Sequence, residues 1–253
     1  MLLVADIGNT NITLGVYENE SMPEILRLPS DKELPQEEYE ILLHTLFKNY
    51  KIDSCIIGSV VRELDDKFKK AVSETFKITP VLLNNNMDIG IKLKLKTPQE
   101  VGADRIANAY AAYMMYEKPV IVVDLGTATT FDVVNKDGEF IGGVIMPGIN
   151  LQFNSLCRNT SKLPKINANK SEKAIGDSTE NAILSGVIRG TACAIEGLIN
   201  QCENELGEKA TIVATGGDSE LVSEYMTRPF DFVDPYLTLE GLRFLYRRLS
   251  GNN

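Results

Sequence analysis

The fold of this 253-residue chain is decided by the stretch VADIGNT at residues 4–10, which returns as VVDLGTA at residues 122–128. Each copy is an apolar run that ends in an aspartate, Asp6 or Asp124, followed by one apolar residue, a glycine and small polar residues. The two copies lie almost half the chain length apart. This internal repeat predicts two related halves.

The two acidic stretches contain the residue types that a polyphosphate site requires. Glycine has no Cβ, so the backbone N–H groups of a tight hairpin can approach phosphate oxygens closely. An aspartate at the strand end can hold a cation such as Mg²⁺, directly or through its water shell. A single copy has a plain alternative, a tight turn in which Asp, Gly and Asn are favoured anyway. The second copy favours the phosphate site, and with it phosphoryl transfer, in which the protein mainly positions phosphates and stabilises their charge.

The remaining pattern predicts an α/β fold with two domains, residues 1–117 and 118–253. Strands rich in β-formers alternate with segments of helical period, which favours a central mixed sheet in each half. The last predicted helix, LTLEGLRFLYRRL, is assigned to the second domain, with Thr238 as its capping residue. Predicted strands include residues 2–6, 12–17, 52–57, 120–124, 130–134 and 211–214, and a long helical stretch is expected over residues 177–205.

Composition and charge exclude several classes of function. The net charge of −9 argues against nucleic-acid partners, and Lys92, Lys94 and Lys96 are interpreted as the wet face of a strand. The N-terminus lacks a basic n-region and no run approaches the ~20 apolar residues of a membrane helix, so a cytoplasmic protein without a membrane partner is expected. The four cysteines are scattered and are interpreted as reduced thiols. The one histidine, His44, is interpreted as an ordinary helix residue, which argues against His-dependent hydrolase triads.

The two loops resemble the phosphate motifs of the superfamily that includes acetate kinase, sugar kinases, heat-shock chaperone ATPases and actin. VATGG at residues 213–217 resembles the adenosine motif of that superfamily, in which paired glycines let the nucleotide lie against the chain. The resemblance implies two ribonuclease-H-like domains that face a nucleotide cleft. The nucleotide-binding residues that it implies are Asp6, Ile7, Gly8, Asn9, Thr10, Asn11, Ile12, Thr13, Thr127, Gly216 and Gly217.

The string EVGADRIANA at residues 100–109 resembles the signature of type III pantothenate kinases, which make 4′-phosphopantothenate in the first step of coenzyme A synthesis. The similarity extends almost end to end, through DIGNTN, GGVIMPGINL, IGDSTENAILSGVIRG, ATGGDSELV and VDPYLTLEGL. It implies ATP and pantothenate as substrates, Mg²⁺ and a monovalent cation (K⁺ or NH₄⁺) as cofactors, and a homodimer. Asp124 is the implied residue of the cation site, together with Asp6.

By the same resemblance, Asp104 is the general base that takes the proton from the pantothenate hydroxyl. An exposed carboxylate near helix N–H groups is expected to stay ionised, although an ordinary N-cap aspartate is an equally good interpretation of the local sequence. Gly102, Ala103 and Arg105 are implied substrate contacts, with a surface ion pair as the alternative for Arg105. Thr179 is a further implied substrate contact, with a capping hydroxyl as its alternative.

One position departs from the family pattern. Leu95 stands where the family usually has a tyrosine that helps to wall the pantothenate pocket. An apolar wall is kept and the phenol hydroxyl is lost, so two alternatives stay open: a kinase for another small hydroxylated substrate, and a non-catalytic regulatory or binding module. The presence of Asp6, Asp104 and Asp124 favours an enzyme, because a relic of the fold would tend to lose acidic residues.

Overall fold

The computed structural model describes residues 1–18, 24–158, 163–164 and 166–251, and the chain divides into two compact units, each built on one mixed sheet. The α/β prediction is confirmed. The first unit comprises Met1–Lys92, Lys96–Ala111 and Tyr236–Asn253, and the second comprises Leu93–Leu95 and Ala112–Pro235.

The sheet of the first unit has the strand order β3-β2-β1-β4-β5. Strands β1 (Leu2–Ile7), β2 (Asn11–Tyr17) and β3 (Glu24–Pro29) are antiparallel neighbours. Strand β4 (Ser54–Ser59) runs parallel to β1, and β5 (Val81–Leu82) runs parallel to β4. The apolar side chains of β1 and β4 are almost fully buried, as expected for central strands with both faces covered.

The helices α1 (Gln36–Phe47) and α2 (Arg62–Phe76) pack together beside this sheet. The ring of Tyr39 in α1 meets the ring of Phe68 in α2 edge to face, with centroids 5.6 Å apart. This packing places the apolar stripe of each helix in one core, as the helical period of the sequence predicted. His44 lies on the exposed face of α1, which confirms its interpretation as an ordinary helix residue.

A short 3₁₀ turn, Pro98–Glu100, leads into helix α3 (Ala103–Met115). The segment before this turn begins with the short strand β6 (Lys92–Leu93), which lies beside the second sheet. Lys92, Lys94 and Lys96 are all exposed, as predicted, but only Lys92 lies within a strand, so the interpretation of all three as one strand face was wrong. Lys94 Nζ lies 3.0 Å from Glu139 Oε2.

The sheet of the second unit repeats the topology of the first. Strands β7 (Val120–Leu125), β8 (Ala128–Val134) and β9 (Glu139–Pro147) are antiparallel neighbours. Strand β10 (Thr211–Thr215) runs parallel to β7, and β11 (Phe232–Val233) runs parallel to β10. The repeat seen in two short loops therefore extends to a whole five-strand arrangement.

The helices of the second unit cover a core that includes Phe131, Phe153 and Ile195. The predicted long helical stretch is confirmed as the continuous run Thr179–Leu206, which contains a π-helical turn at Ser185–Arg189. The described helices are α4 (Ile149–Arg158), α5 (Thr179–Leu184), α6 (Gly190–Leu206) and α7 (Ser219–Ser223).

The helical run Thr179–Leu206 is long and apolar enough to cross a membrane by length and composition, with a mean hydropathy of 1.5 in its most apolar window. The expectation that no run approaches this length was wrong. Half of that window is buried in the fold, and Ile188, Ala192 and Ile199 belong to the core of the second unit. We therefore interpret the run as a core helix.

The last helix, α8 (Leu237–Leu249), packs on β1 and β4 and so belongs to the first unit. The sequence instead predicted that this helix belongs to the second domain. An amphipathic pattern shows that a helix buries one face, but it does not show which sheet that face covers. Thr238 is not the cap, which is Tyr236 without a side-chain hydrogen bond. The Thr238 hydroxyl instead donates to Asn108 Oδ1 of α3 at 2.8 Å.

Candidate active site

The first acidic hairpin is the turn between β1 and β2. Asp6 is the penultimate residue of β1 and lies opposite Thr13 in the ladder. The Gly8 N–H donates to the Asn11 carbonyl at 3.0 Å and closes the turn, whose tip is exposed. The Ser30 hydroxyl donates to the Gly8 carbonyl at 2.5 Å, so the residue that follows β3 holds the hairpin from outside. The tip of the hairpin is therefore exposed, while its first residue is fixed by a hydrogen bond from Ser30.

The second acidic hairpin joins β7 to β8. Asp124 is the penultimate residue of β7 and lies opposite Thr130. The Gly126 N–H donates to the Ala128 carbonyl at 3.1 Å, and Gly126 and Thr127 form an exposed two-residue tip. Both hairpins therefore present an aspartate, a glycine and exposed small polar residues in the same order along the same strand ends.

The structure corrects the alignment of the two hairpins by one residue. The first tip has three residues between its strands and the second has two. The Thr10 carbonyl accepts from Ser30 N at 3.0 Å, and the Thr127 carbonyl accepts from Gly148 N at 3.2 Å, in each case the residue that follows the third strand. Thr10 therefore corresponds to Thr127 and not to Ala128.

The predicted adenosine motif lies directly beside the second hairpin. Thr215 ends β10 and is the ladder neighbour of Asp124. Gly216 has a φ of +91°, and a Cβ at this position would lie 2.5 Å from the Leu125 carbonyl oxygen and 2.7 Å from Asp124 Oδ1. Only glycine fits such a close approach in this backbone conformation. Within the second unit, the fold thus brings together Gly216, the hairpin backbone and the predicted cation-site carboxylate.

Asp218, which follows the paired glycines, was not selected as a site residue from the sequence. Its backbone N–H donates to the Leu125 carbonyl at 3.3 Å, and burial raises the pKa of its carboxyl group. The ATGGDS string contained this residue, but a carboxylate one position before a short helix has the appearance of a routine cap.

Asp104 is the second residue of α3. The Gly102 carbonyl accepts the first helical hydrogen bond, from Ile106 N at 3.1 Å, so Gly102 and not Asp104 occupies the capping position. The Asp104 carboxylate accepts from Arg105 N at 2.7 Å. A Cβ on Gly102 would overlap Asp104 Oδ1 and would lie 3.1 Å from Val60 Cγ1. The carboxylate is therefore walled by the Gly102 backbone, with Val60 close by.

The expectation of an exposed Asp104 was wrong, since the residue is half-buried. Burial raises the pKa of this carboxyl group, and the backbone N–H and the positive charge of Arg105 oppose that rise. A carboxylate whose conjugate acid is less acidic is a stronger proton acceptor, which suits a general base better than full exposure does.

Thr179 is the first residue of α5, and the cap of that helix is Ser178, whose hydroxyl accepts from Asn181 N at 3.1 Å. The capping alternative for Thr179 is therefore wrong. Thr179 lines an open, mostly apolar cavity of about 670 Å³ in the second unit. The other residues that line the cavity lie chiefly in α4, α5 and the π-helical turn, and they include Leu151, Leu156, Ile183 and Val187.

Arg189, in the π-helical turn, holds the segment that leads to Thr179. Its Nη2 donates to the Ser171 carbonyl at 2.9 Å, and its guanidinium lies 4.7 Å from the centre of the Tyr225 ring. In the same turn, the Ser185 hydroxyl donates to the Ala174 carbonyl at 2.6 Å. No local sequence signal identified Arg189, because its partners lie far away along the chain.

The predicted cation-site residues, Asp6 and Asp124, are single carboxylates and not members of a preformed cage. Among the residues that the structure describes, no group of three or more His, Cys, Asp or Glu side chains forms a metal site. Mg²⁺ in kinase sites is commonly held by one or two carboxylates together with the phosphates of the substrate. Each hairpin carries one carboxylate at its strand end, Asp6 in the first unit and Asp124 in the second.

A sequence model of the type III pantothenate kinase family matches residues 2–201. The chain is 43% identical over 251 residues to the type III pantothenate kinase of Roseiflexus sp. (strain RS-1), an alignment that covers 97% of this chain and 98% of that protein. It is 42% identical to the enzyme of Dehalococcoides mccartyi (strain CBDB1), with 97% and 95% covered. The chain belongs to the type III pantothenate kinase family.

Solved structures place this family member in the sugar kinase and actin-like fold. A ROK family glucokinase from Streptomyces griseus has a TM-score of 0.55 at 15% identity, with 97% of this chain and 99% of that chain covered. MreB5 of Spiroplasma citri has a TM-score of 0.56 at 11% identity, with 99% and 97% covered. The predicted ribonuclease-H-like fold class is thereby confirmed.

A third solved structure of the same fold is that of a conserved putative Baf family transcriptional activator from Campylobacter jejuni. Its TM-score is 0.64 at 21% identity, with 98% of this chain and 99% of that chain covered. At this identity the likeness concerns the fold alone.

Leu95, the position that the sequence analysis singled out as unusual, is half-buried, and a Cβ on Gly142 of β9 would lie 3.6 Å from its Cδ2. The position keeps an apolar surface at the edge of the second sheet, without the hydroxyl that a tyrosine would present.

Proposed function

We propose that this chain transfers the γ-phosphate of ATP to pantothenate and forms 4′-phosphopantothenate, the first step of coenzyme A biosynthesis. The observation that carries the proposal is the GADR string at the start of α3, in which burial raises the pKa of the Asp104 carboxyl group. The chain is related over 97% of its length to a type III pantothenate kinase.

In this reaction Asp104 accepts the proton of the pantothenate primary hydroxyl as that oxygen forms a bond to the γ-phosphorus. The bond between the γ-phosphorus and the bridging oxygen breaks, and ADP leaves with the electron pair. Gly102, Ala103 and Arg105 contact pantothenate, and the planar guanidinium of Arg105 is suited to both oxygens of its carboxylate. Thr179, which lines the apolar cavity, adds a further substrate contact.

The nucleotide is assigned to the two hairpins and the glycine pair. Asp6 to Thr13 and Thr127 bind the phosphates through backbone N–H groups and small polar side chains, and Gly216 and Gly217 accommodate the adenosine. Asp6 and Asp124 bind the cations, Mg²⁺ with ATP and a monovalent cation, K⁺ or NH₄⁺. Bound cations neutralise the charge that develops on the transferred phosphoryl group.

We propose further that the protein acts as a cytoplasmic homodimer. The apolar cavity that Thr179 lines continues to exposed apolar side chains, with Leu151 44% and Leu156 37% exposed on α4. Exposed apolar patches of this kind are typical of interaction surfaces. A second copy of the chain is the occupant that the family resemblance implies.

The proposed activity is tested by a coupled assay of ADP release. Purified protein with ATP, Mg²⁺, K⁺ and pantothenate is expected to turn over, with the rate lost when Mg²⁺ is chelated and strongly reduced when Na⁺ replaces K⁺. Turnover with another polyol or acid, but not with pantothenate, would assign the chain to a different kinase. Absence of turnover with every substrate would favour the non-catalytic alternative.

The proposed dimer is tested by sedimentation velocity. The wild-type chain is expected to sediment as twice the mass of 28.0 kDa. Replacement of Leu151 with arginine should shift it toward the monomer, since a charge at an apolar contact is left desolvated and unpaired. The same substitution at the exposed Ile41 of α1 is the control. A monomeric wild-type protein at micromolar concentration contradicts the proposal.

A further inference from the structure

The backbone just before Asp104 is held by a single side chain from a distant loop. Asn85 Nδ2 donates to the Pro98 carbonyl at 2.8 Å and to the Val101 carbonyl at 3.0 Å. A side-chain amide carries two N–H donors on its nitrogen, so both bonds can form at once. The two carbonyls bracket the 3₁₀ turn Pro98–Glu100, which is thereby fixed at both ends.

One residue, Val101, separates the fixed turn from the wall of the proposed base. Val101 is followed by Gly102, whose backbone touches the Asp104 carboxylate and whose carbonyl accepts the first hydrogen bond of α3. A shift of the turn therefore moves both the wall of the carboxylate and the start of the helix that carries it. Small displacements of a reacting group matter, since a misplacement of about 1 Å can reduce a rate about a hundredfold.

Asn85 itself stands on an anchored loop. At one end, the Leu83 N–H donates to the Ile57 carbonyl of β4 at 2.8 Å. At the other end, Arg248 of α8 makes two hydrogen bonds to Asp88. Its Nη2 donates to Asp88 Oδ2 at 2.8 Å, and its Nε donates to the Asp88 carbonyl at 3.1 Å. The amide is thus presented from a loop tied both to the central sheet and to the last helix of the same unit.

We propose that Asn85 is a positioning residue that sets the place of the Asp104 carboxylate through the Pro98–Val101 backbone. The inference rests on the proposed function of Asp104 as the general base. Asn85 does not touch the substrate in this role; it fixes the geometry of the group that does.

The test compares Asn85→Asp with Asn86→Asp. Aspartate keeps the shape of asparagine and removes both N–H donors, leaving carboxylate oxygens that repel the two carbonyls. Asn86 is an exposed neighbour in the same loop, so its substitution adds the same charge without breaking these bonds. We expect kcat with pantothenate to fall about tenfold or more in Asn85→Asp, while KM for ATP stays within about twofold. Asn86→Asp should match the wild type.

A double-mutant cycle separates action through Asp104 from general loss of structure. If Asn85 acts through the base, Asn85→Asp should add less than about twofold to the loss caused by Asp104→Asn. Full multiplication of the two losses would overturn the proposal. So would an unchanged kcat in Asn85→Asp, or a loss that falls chiefly on KM for ATP.

Amide hydrogen exchange gives a readout that does not depend on turnover. The Ile106 N–H, bonded to the Gly102 carbonyl, should exchange faster in Asn85→Asp than in Asn86→Asp. Equal exchange in the two variants would overturn the positioning. A wild-type protein inactive on pantothenate would instead refute the proposed function, and the exchange result would still report whether Asn85 holds the turn.

Discussion

Replacing Asp104 with asparagine is expected to lower kcat about a hundredfold to ten-thousandfold, the range that general base catalysis usually contributes. Asparagine keeps the shape of the side chain and still accepts a hydrogen bond from Arg105 N, but it cannot take the proton of the attacking hydroxyl. ATP affinity should stay within about twofold of the wild type. Steady-state kinetics and nucleotide titration measure the two effects separately.

The control for this variant is Asp66→Asn, which removes an exposed carboxylate from α2 of the same unit and should leave kcat unchanged. Full activity in Asp104→Asn would show that the base is wrongly assigned. A parallel loss of ATP affinity would show that the carboxylate binds nucleotide and does not act as the base.

The pH dependence of Asp104 has a definite sign. Because burial raises the pKa of this carboxyl group, kcat/KM for pantothenate should fall as the pH decreases through a value above the ordinary aspartate value of about 3.9. The same raised pKa means that the neutral form fits the fold better, so the stability that this group contributes at low pH is lost as the pH rises through its pKa. Asp104→Asn should therefore be at least as stable as the wild type at pH 7.

Replacing Gly216 with alanine is expected to lower the free energy of unfolding by about 3 kcal/mol, a large effect for one substitution. The new Cβ would meet the Leu125 carbonyl and the Asp124 carboxylate, and the φ of +91° is strained for any residue with a side chain. Both contacts are with the second hairpin, so the substitution should also displace the proposed phosphate and cation groups. Urea unfolding with and without ATP measures the two consequences.

The adjacent glycine supplies the matched control for stability. A Cβ on Gly217 would meet no atom within 4 Å, and its φ lies outside the left-handed region. Gly217→Ala should therefore change the free energy of unfolding by less than about 1 kcal/mol. Equal stability of the two variants would mean that the close approach at Gly216 is relieved by a small backbone shift. In that case the hairpin is not held by this contact.

Local sequence preferences were sufficient to predict the two hairpins of the proposed site. The two hairpins were identified from short strings because strand, aspartate and glycine preferences act over a few neighbouring residues. Their repetition predicted two related halves, and the repeated strand orders of the two sheets agree with that inference. The order of the motifs along the chain likewise identified the family. Residues that bind the same substrate are restricted in type even where they lie far apart in the sequence.

Long-range packing decided the remaining features. The burial of Asp104, and with it the raised pKa of its carboxyl group, depends on how the folded chain packs around the start of α3, so neither was readable from GADR. The partners of Asn85 and Arg189 are distant along the chain for the same reason.

The sequence alone determined that the chain has a duplicated α/β architecture, and it predicted which residues carry the proposed chemistry. Tertiary structure alone decided which sheet α8 covers, which residue caps each helix, and how the proposed base is buried and held. The physical reason is that turn and strand preferences are local energies, whereas burial and hydrogen bonds between distant segments exist only once the chain has packed.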